Sequence, residues 1–412
     1  MGRMVMTNPN ALGLWRVELD LNETENTLHV LESRDSWDEF VLDKCSDYCD
    51  VTLVYAMLRA HRVHILGYSL SNSNVCLYAL GMGLVRAKNL EELCLSTVDV
   101  SESTASAVTL GLKSTDCLKI LIFQRCRLSD QVIKILAKGL EDNDTLRHLE
   151  VNRCQFSSTH EQLEQDHEGF SQILASMNHH PSLINLKAVG IAWTPSSIQA
   201  LSTLMERQQL QHLDLNCCML ETPAPANEPS ESVCCQHLAP IISSLPSNLS
   251  LQTLILSGNN LGDYMVGCLA DALAVNSTLQ ELHLQHNRIT DKGLGVLASC
   301  LPHMKLHTLL LSRNMYTKEA SEQILRFLPQ NTALQVLHLY TTLRVSRRIT
   351  YYLNLNQAGR RLHASPRVPT SLWPLVLARI NRLWASDDMR RKEMRASGIY
   401  GMLQENPGVF VS

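Results

Sequence analysis

Aromatic residues are scarce: Phe, Trp and Tyr make up 5% of the 412 residues. A core built by stacking large rings is excluded, and aliphatic side chains must supply the buried area. An excess of one charge is also missing, the formal net charge being −4, too little for a self-repelling disordered chain. With 45% hydrophobic residues the chain can bury a large core. No apolar run approaches the ~18 residues of a membrane-crossing helix, so no membrane partner is expected. The opening segment carries Arg16, Glu18, Asp20 and Glu23 without an unbroken apolar stretch, so no secretory leader is expected. C-x-x-C pairs, H-E-x-x-H, G-x-S-x-G and G-x-x-x-x-G-K-[ST] are all absent. Their absence removes the usual zinc, hydrolase and nucleotide signatures. The expectation is a chain that is not an enzyme and holds no cofactor or metal.

What the chain has is repetition. LQTLILSGNNLGD at Leu251 returns as LQELHLQHNRITD at Leu279 and LHTLLLSRNMYTK at Leu306. Aligned on the first leucine, units start at Leu90, Leu118, Leu146, Leu183, Leu210, Leu251, Leu279, Leu306 and Leu334, with a weaker one at Val63. Each opens L-x-x-L-x-L. The period of two reads as a short strand with leucines inward. In six of the nine units the ninth position is Asn or Cys: Cys126, Cys154, Cys218, Asn259, Asn287 and Asn314. Such a residue turns the chain and serves backbone groups the turn leaves unpaired. The second half of a unit switches to helical spacing, as in Ile133, Leu136, Ala137 and Leu140, or Val266, Leu269, Ala270 and Leu273. Asp130, Asp263 and Asp291 fall where a helix N-cap is expected.

One unit cannot bury its apolar face alone, but stacked units can. Strands stack about 4.8 Å apart and helices are about 10 Å wide, so the expected stack curves with its strands on the concave side. Units of 28 residues with a full helix and Asn or Cys at the turn resemble the ribonuclease-inhibitor-like class of leucine-rich repeats, as in the repeat domains of NOD-like receptors. The resemblance implies an α/β fold: a right-handed solenoid of nine or ten units. No nucleotide-binding module of the receptor kind accompanies it.

Three regions are expected. Residues 1–61 lack the repeat and read as an N-terminal cap; 62–342 form the solenoid; 343–412 form a basic C-terminal cap or tail. That tail holds 12 Lys+Arg against 4 Asp+Glu, which allows an acidic partner. Its arginines are not interleaved with stacking aromatics, which argues against nucleic acid. Its order YYLNLNQAGRRL, PTSLWPLVLARINRLW, SGIYGMLQENPGVF is similar to the C-terminal segment of diatom and algal leucine-rich-repeat proteins, through Asn354, Asn356, Gly359, Arg360, Trp373, Pro374, Arg379, Asn381 and Pro407. Leu372, Leu375, Val376 and Ile380 form an amphipathic stripe there.

The third, fifth and seventh positions of each unit point out of the sheet. In the middle units these are His148, Glu150 and Asn152, then Asn185, Lys187 and Val189, then His212, Asp214 and Asn216. Glu281 and His283 add a later pair. Glu150, Lys187 and Asp214 form one column of alternating sign. With His148, Asn152, Asn185, His212, Asn216, Glu281 and His283 they are the candidate protein-binding residues, set against a plain ladder of surface ion pairs. The long units at Leu146 and Leu210 carry acidic inserts near 157–169 and 221–235, beside the same patch. Cysteines follow the repeat register, so free thiols and a reducing compartment, cytoplasm or nucleus, are expected.

The functional expectation is a non-catalytic scaffold or adaptor that grips a protein partner. Two alternatives stay open: a GTPase-activating or other regulator of a partner enzyme, for which rim residues Arg125, Arg153, Arg288 and Arg313 are available, and a substrate-docking subunit of a ubiquitin ligase.

Overall fold

The computed structural model describes residues 5–7, 16–20, 37–43, 58, 60–66, 74–156, 168–178, 180–191, 193–218 and 238–357. The bulk of both inserts, the tail's amphipathic stripe and the residues beyond 357 lie outside the described residues. The chain forms two compact units, Met1–Met219 with Gln236–Ser244, and Leu220–Cys235 with Leu245–Ser412.

Unit 1 alternates strand and helix. Its main strands are β1 (Val5–Thr7), β2 (Arg16–Asp20), β3 (Trp37–Asp43), β4 (Ala60–Leu66), β5 (Glu92–Ser96), β7 (Ile120–Gln124), β9 (His148–Asn152), β10 (Asn185–Val189) and β11 (His212–Asp214). All from β2 onward pair in parallel in chain order, and β1 is antiparallel to β2. The helices are α1 (Asn74–Arg86), α2 (Glu102–Ser114), α3 (Asp130–Glu141), α4 (Glu168–Met177), α5 (Pro195–Glu206) and α6 (Ala239–Ser244). In unit 2, the parallel strands β12 (Thr253–Ile255), β13 (Glu281–His283), β14 (Thr308–Leu310) and β15 (Val336–His338) alternate with α7 (Asp263–Val275), α8 (Asp291–Cys300), α9 (Glu322–Phe327) and α10 (Leu343–Gln357).

The core is the repeat's leucine columns. At the fourth position Leu93, Leu121, Leu149, Leu186 and Leu213 are at most 1% exposed, and Leu254, Leu282 and Leu309 match them in unit 2. Burial of each such side chain stabilises by about 1.5–3 kcal/mol. Helices close the other side through Ile133, Leu136 and Leu140, then Val266, Leu269 and Leu273, then Leu294, Leu297 and Leu301. Three aromatics pack together: Phe170 meets Phe156 and Trp193 at 5.6 and 5.1 Å between ring centres.

The ninth-position residues explain why Cys and Asn interchange. Asn287 Nδ2 donates to the carbonyl of Leu256, the sixth residue of the preceding unit, at 3.0 Å, and Asn314 does the same to Leu284 at 2.8 Å. Cys126, Cys154 and Cys218 donate their S–H to the equivalent carbonyls of Leu95, Phe123 and Ala188 at 3.2, 3.4 and 2.8 Å. A thiol reproduces this donor bond but is a poor acceptor. Asn287 Oδ1 also accepts the N–H groups of Asn259 and Leu261. Where Cys stands, backbone does that work. The short strands β6 (Asp99–Val100) and β8 (Arg127–Leu128) pair, Arg127 N–H donates to Val98, and Gln155 N–H donates to Cys126. Just before this residue the backbone is left-handed in every unit from Leu90 to Leu306, at Thr97, Arg125, Arg153, Gly190, Cys217, Gly258, His286 and Arg313. Only two of these are glycine, so the turn stores strain that the stacked ladder overrides.

Two sequence expectations need correction. The helix caps are one residue earlier than expected: Ser129 and Thr290 are the N-caps, each accepting from a first-turn N–H, and Gly262 holds the place in α7. Asp263 and Asp291 are first helical residues that reach into the next unit. Asp263 accepts from Thr290 N–H and Oγ1–H at 2.8 and 2.5 Å, and Asp291 from Thr317 N–H and Oγ1–H at 2.6 and 3.0 Å. Gly293 leaves the room Asp263 occupies. Second, Val63 lies opposite Leu93, a fourth position, so that unit is counted from Ala60. Upstream, β2 and β3 continue the parallel ladder, where leucine spacing is not visible.

Candidate functional site

The expected column exists. Lys187 lies opposite Glu150 on one side and Asp214 on the other, and Asn185 lies between His148 and His212 in the same way. Their side chains leave the open face of the sheet because Leu149, Val151, Leu186, Ala188 and Leu213 point into the core.

Glu150 is the centre of the cluster. Lys187 Nζ is 3.1 Å from Oε1, His148 Nε2 is 3.4 Å from Oε2, and Asn152 Nδ2 donates to Oε1. The Glu150 side chain is only 14% exposed. Burial works against its ionisation, but the hydrogen bonds from His148 and Lys187 outweigh it and hold the carboxyl below the usual range. Asp214 Oδ1 accepts the N–H of Asn216 at 3.0 Å, shaping the end of β11. Asn152 Oδ1 and Asn185 Oδ1 are buried and meet no donor among the described residues. Turning the Asn152 amide over would set its oxygen against the Glu150 carboxylate, so the orphaned acceptor belongs to the arrangement. Glu281 and His283 belong to unit 2, where Nε2 of His283 is 3.9 Å from the Glu281 carboxylate.

A second polar cluster escaped the sequence reading. His64 contacts Glu39 through Nδ1 at 3.5 Å and Glu92 through Nε2 at 3.0 Å. The register lines up Arg16, Glu39, Arg62 and Glu92, alternating in sign, at the third position of successive strands. Cys94, opposite His64, is buried, and burial with the nearby Glu92 pushes its thiol up to about 12. Glu92 and Cys94 follow from the repeat rule at Leu90, but His64 was hidden by counting its unit from Val63.

Among the described residues no group of three or more His, Cys, Asp or Glu could hold a metal, and no helix is long and apolar enough to cross a membrane. The rim arginines Arg125, Arg153, Arg288 and Arg313 are exposed; Arg125, Arg153 and Arg313 hold the left-handed turn position, and Arg288 lies two residues beyond it.

Comparison with known proteins agrees with the ladder. A family model described as "Leucine Rich repeat" matches residues 247–263 and 275–298. No curated protein matches. Among solved structures, the yeast Rad7–Elc1 complex aligns at 14% identity over 77% of this chain and 81% of that one, with a TM-score of 0.44. The complex of TLR13 with ssRNA13 aligns at 14% identity over 76% of this chain and 37% of that one, TM-score 0.42. The actin-binding site 2 of leiomodin-1 aligns at 23% identity over 32% of this chain and 79% of that one, TM-score 0.30.

Proposed function

We propose that this leucine-rich repeat protein is a non-catalytic scaffold, and that it grips a protein partner on the strand-lined face around Glu150, Lys187 and Asp214. The leucine-rich repeat fold serves protein interaction in general. The finer reading rests on one observation: among the described residues the cluster holds two buried acceptors without donors, Asn152 Oδ1 and Asn185 Oδ1, beside a half-buried ion pair. An unpaired buried acceptor costs about 1–3 kcal/mol, and an inert surface ladder has no use for two of them. A partner that draws these two amides outward onto its own N–H donors and brings a complementary charge pattern recovers that cost, with the charges setting specificity more than affinity. A reducing compartment, cytoplasm or nucleus, fits the free buried thiols.

The test compares the native chain with a Glu150→Arg/Lys187→Glu/Asp214→Arg variant in affinity capture from cell extract. Circular dichroism checks first that both are folded. A partner lost from the variant alone supports the reading. Identical captured sets would reduce the column to an ion-pair ladder, each pair contributing about 0–1 kcal/mol.

A further inference from the structure

Unit 2 contains a cleft far from any role on the strand face. It lies between α9 and α10, has a volume of about 310 Å³, and is lined by Glu322, Leu325, Arg326, Arg344, Val345 and Arg348. Leu325 and Val345 are buried; the three arginines and Glu322 are exposed. Arg344 and Arg348 are four residues apart on α10, so they leave the helix on one side and repel each other. Arg344 also lies in the first turn, where the helix dipole already concentrates positive charge, and no acidic residue occupies that turn. The whole of α10 carries Arg344, Arg347 and Arg348 and neither Asp nor Glu.

Compensation is missing. Among the described residues the guanidinium groups of Arg344 and Arg348 meet no ion-pair or hydrogen-bond partner, and Arg326 meets the ring of Phe327, 5.7 Å from its centre. Glu322 precedes Arg326 by one helical turn without pairing to it. Three planar forks thus line one cleft, an arrangement that gathers like charge on one surface. A bound oxyanion would relieve it, because each fork can donate two parallel N–H bonds to a tetrahedral anion.

We propose that this cleft is an anion site for phosphoryl groups, of the size of a pyrophosphate or a small phosphate ester. Arg326, Arg344 and Arg348 donate to the oxygens, and Glu322 bars one side to negative charge and orients the ligand. The buried side chains of Leu325 and Val345 give the organic part of an ester an apolar surface. The same chemistry could be presented free in solution or on a phosphorylated lipid headgroup.

The test is calorimetric titration of the full chain with pyrophosphate at low salt. The variants are Arg344→Gln/Arg348→Gln and, as a control on the same helix outside the cleft, Arg347→Gln. Saturable binding at one site is expected. The double variant should weaken it by about tenfold or more, since charge-assisted bonds are lost, while the control changes it little. Pyrophosphate should also raise the native melting temperature and leave the double variant's unmoved. No saturable binding to the native chain, or equal weakening by Arg347→Gln, overturns the site. Sedimentation with phosphatidylcholine vesicles, with and without a phosphorylated inositol lipid, separates the sources. Lipid-dependent binding lost in the double variant assigns the headgroup, whereas vesicle binding without any binding of pyrophosphate overturns the cleft as a phosphoryl site.

Discussion

At the scale of single residues, the turn position shows how chemistry discriminates where composition does not. Cys and Asn occupy one register, which the spacing of the leucines makes plain, but only hydrogen-bond geometry shows why both work. Both donate to the sixth carbonyl of the preceding unit, and only Asn accepts in return. The two substitutions at Asn287 therefore separate the functions. Asn287→Leu strands buried carbonyls and two buried N–H groups and should destabilise by about 3 kcal/mol or more. Asn287→Cys keeps the donor bond to Leu256 and loses only the acceptor bonds, so its cost should be about 1–2 kcal/mol smaller. Urea denaturation of the three proteins measures both, and equal costs would show that the donor bond contributes nothing.

Among the elements, the joint between helix and following strand was the least legible from sequence. A second column runs there, three residues before each leading leucine. Asn143, Asn248, Asn276 and Asn331 each accept the N–H groups of the two residues that enter the next strand. Asn143, Asn276 and Asn331 also donate to carbonyls of the preceding unit. Its residues lie outside the L-x-x-L-x-L pattern and its members vary, so no periodic signal exposes it. In the unit of Leu183 the position is His180, buried, with Nδ1 accepting from Ser182 N–H at 3.4 Å and Nε2 3.3 Å from Asn143 Oδ1. Burial lowers its affinity for a proton below the usual 6.5, and the Asp144 charge offsets only part of this. The sign follows directly. Above pH 6.5 folded and unfolded chains are both neutral at His180; as pH falls below 6.5 the unfolded chain takes up a proton that the folded one resists, and stability is lost. His180→Asn installs the residue the other units use. Its stability should match the native chain's at pH 7.5 within about 1 kcal/mol, and should fall less steeply as the pH drops from 6.5. Denaturation midpoints across that range decide it; parallel curves would mean that His180 is not the proton acceptor at issue. The strands and helices themselves were legible because two periods, 2 and 3.6, alternate along the chain, and the candidate column followed from strand alternation alone. His64 did not, because Ala60, Val63 and Ile65 replace the leucines that set the register.

For the whole molecule, the thirteen cysteines test the architecture at many places at once. Among the described residues eight are free thiols. Cys217 is exposed, Cys117, Cys268 and Cys300 are intermediate, and Cys94, Cys126, Cys154 and Cys218 are buried. Since the thiolate is the nucleophile, access and proton affinity act together. Burial pushes Cys218 up to about 11. The thiol of Cys154 is also raised, by its bond to Cys126 and by burial. Cys217 and Cys218 are chain neighbours placed on opposite sides of one turn, an arrangement that sequence spacing alone could not assign and that the left-handed backbone at Cys217 produces. Alkylation at pH 8, read by mass spectrometry of digested samples over time, should label Cys217 first. The intermediate thiols should follow. Cys126, Cys154 and Cys218 should react only through opening of the ladder, so that added urea accelerates them far more than it accelerates Cys217. A Cys218 that reacts as fast as Cys217 without denaturant would break the turn geometry on which the repeat, and with it the placement of Lys187 between Glu150 and Asp214, depends.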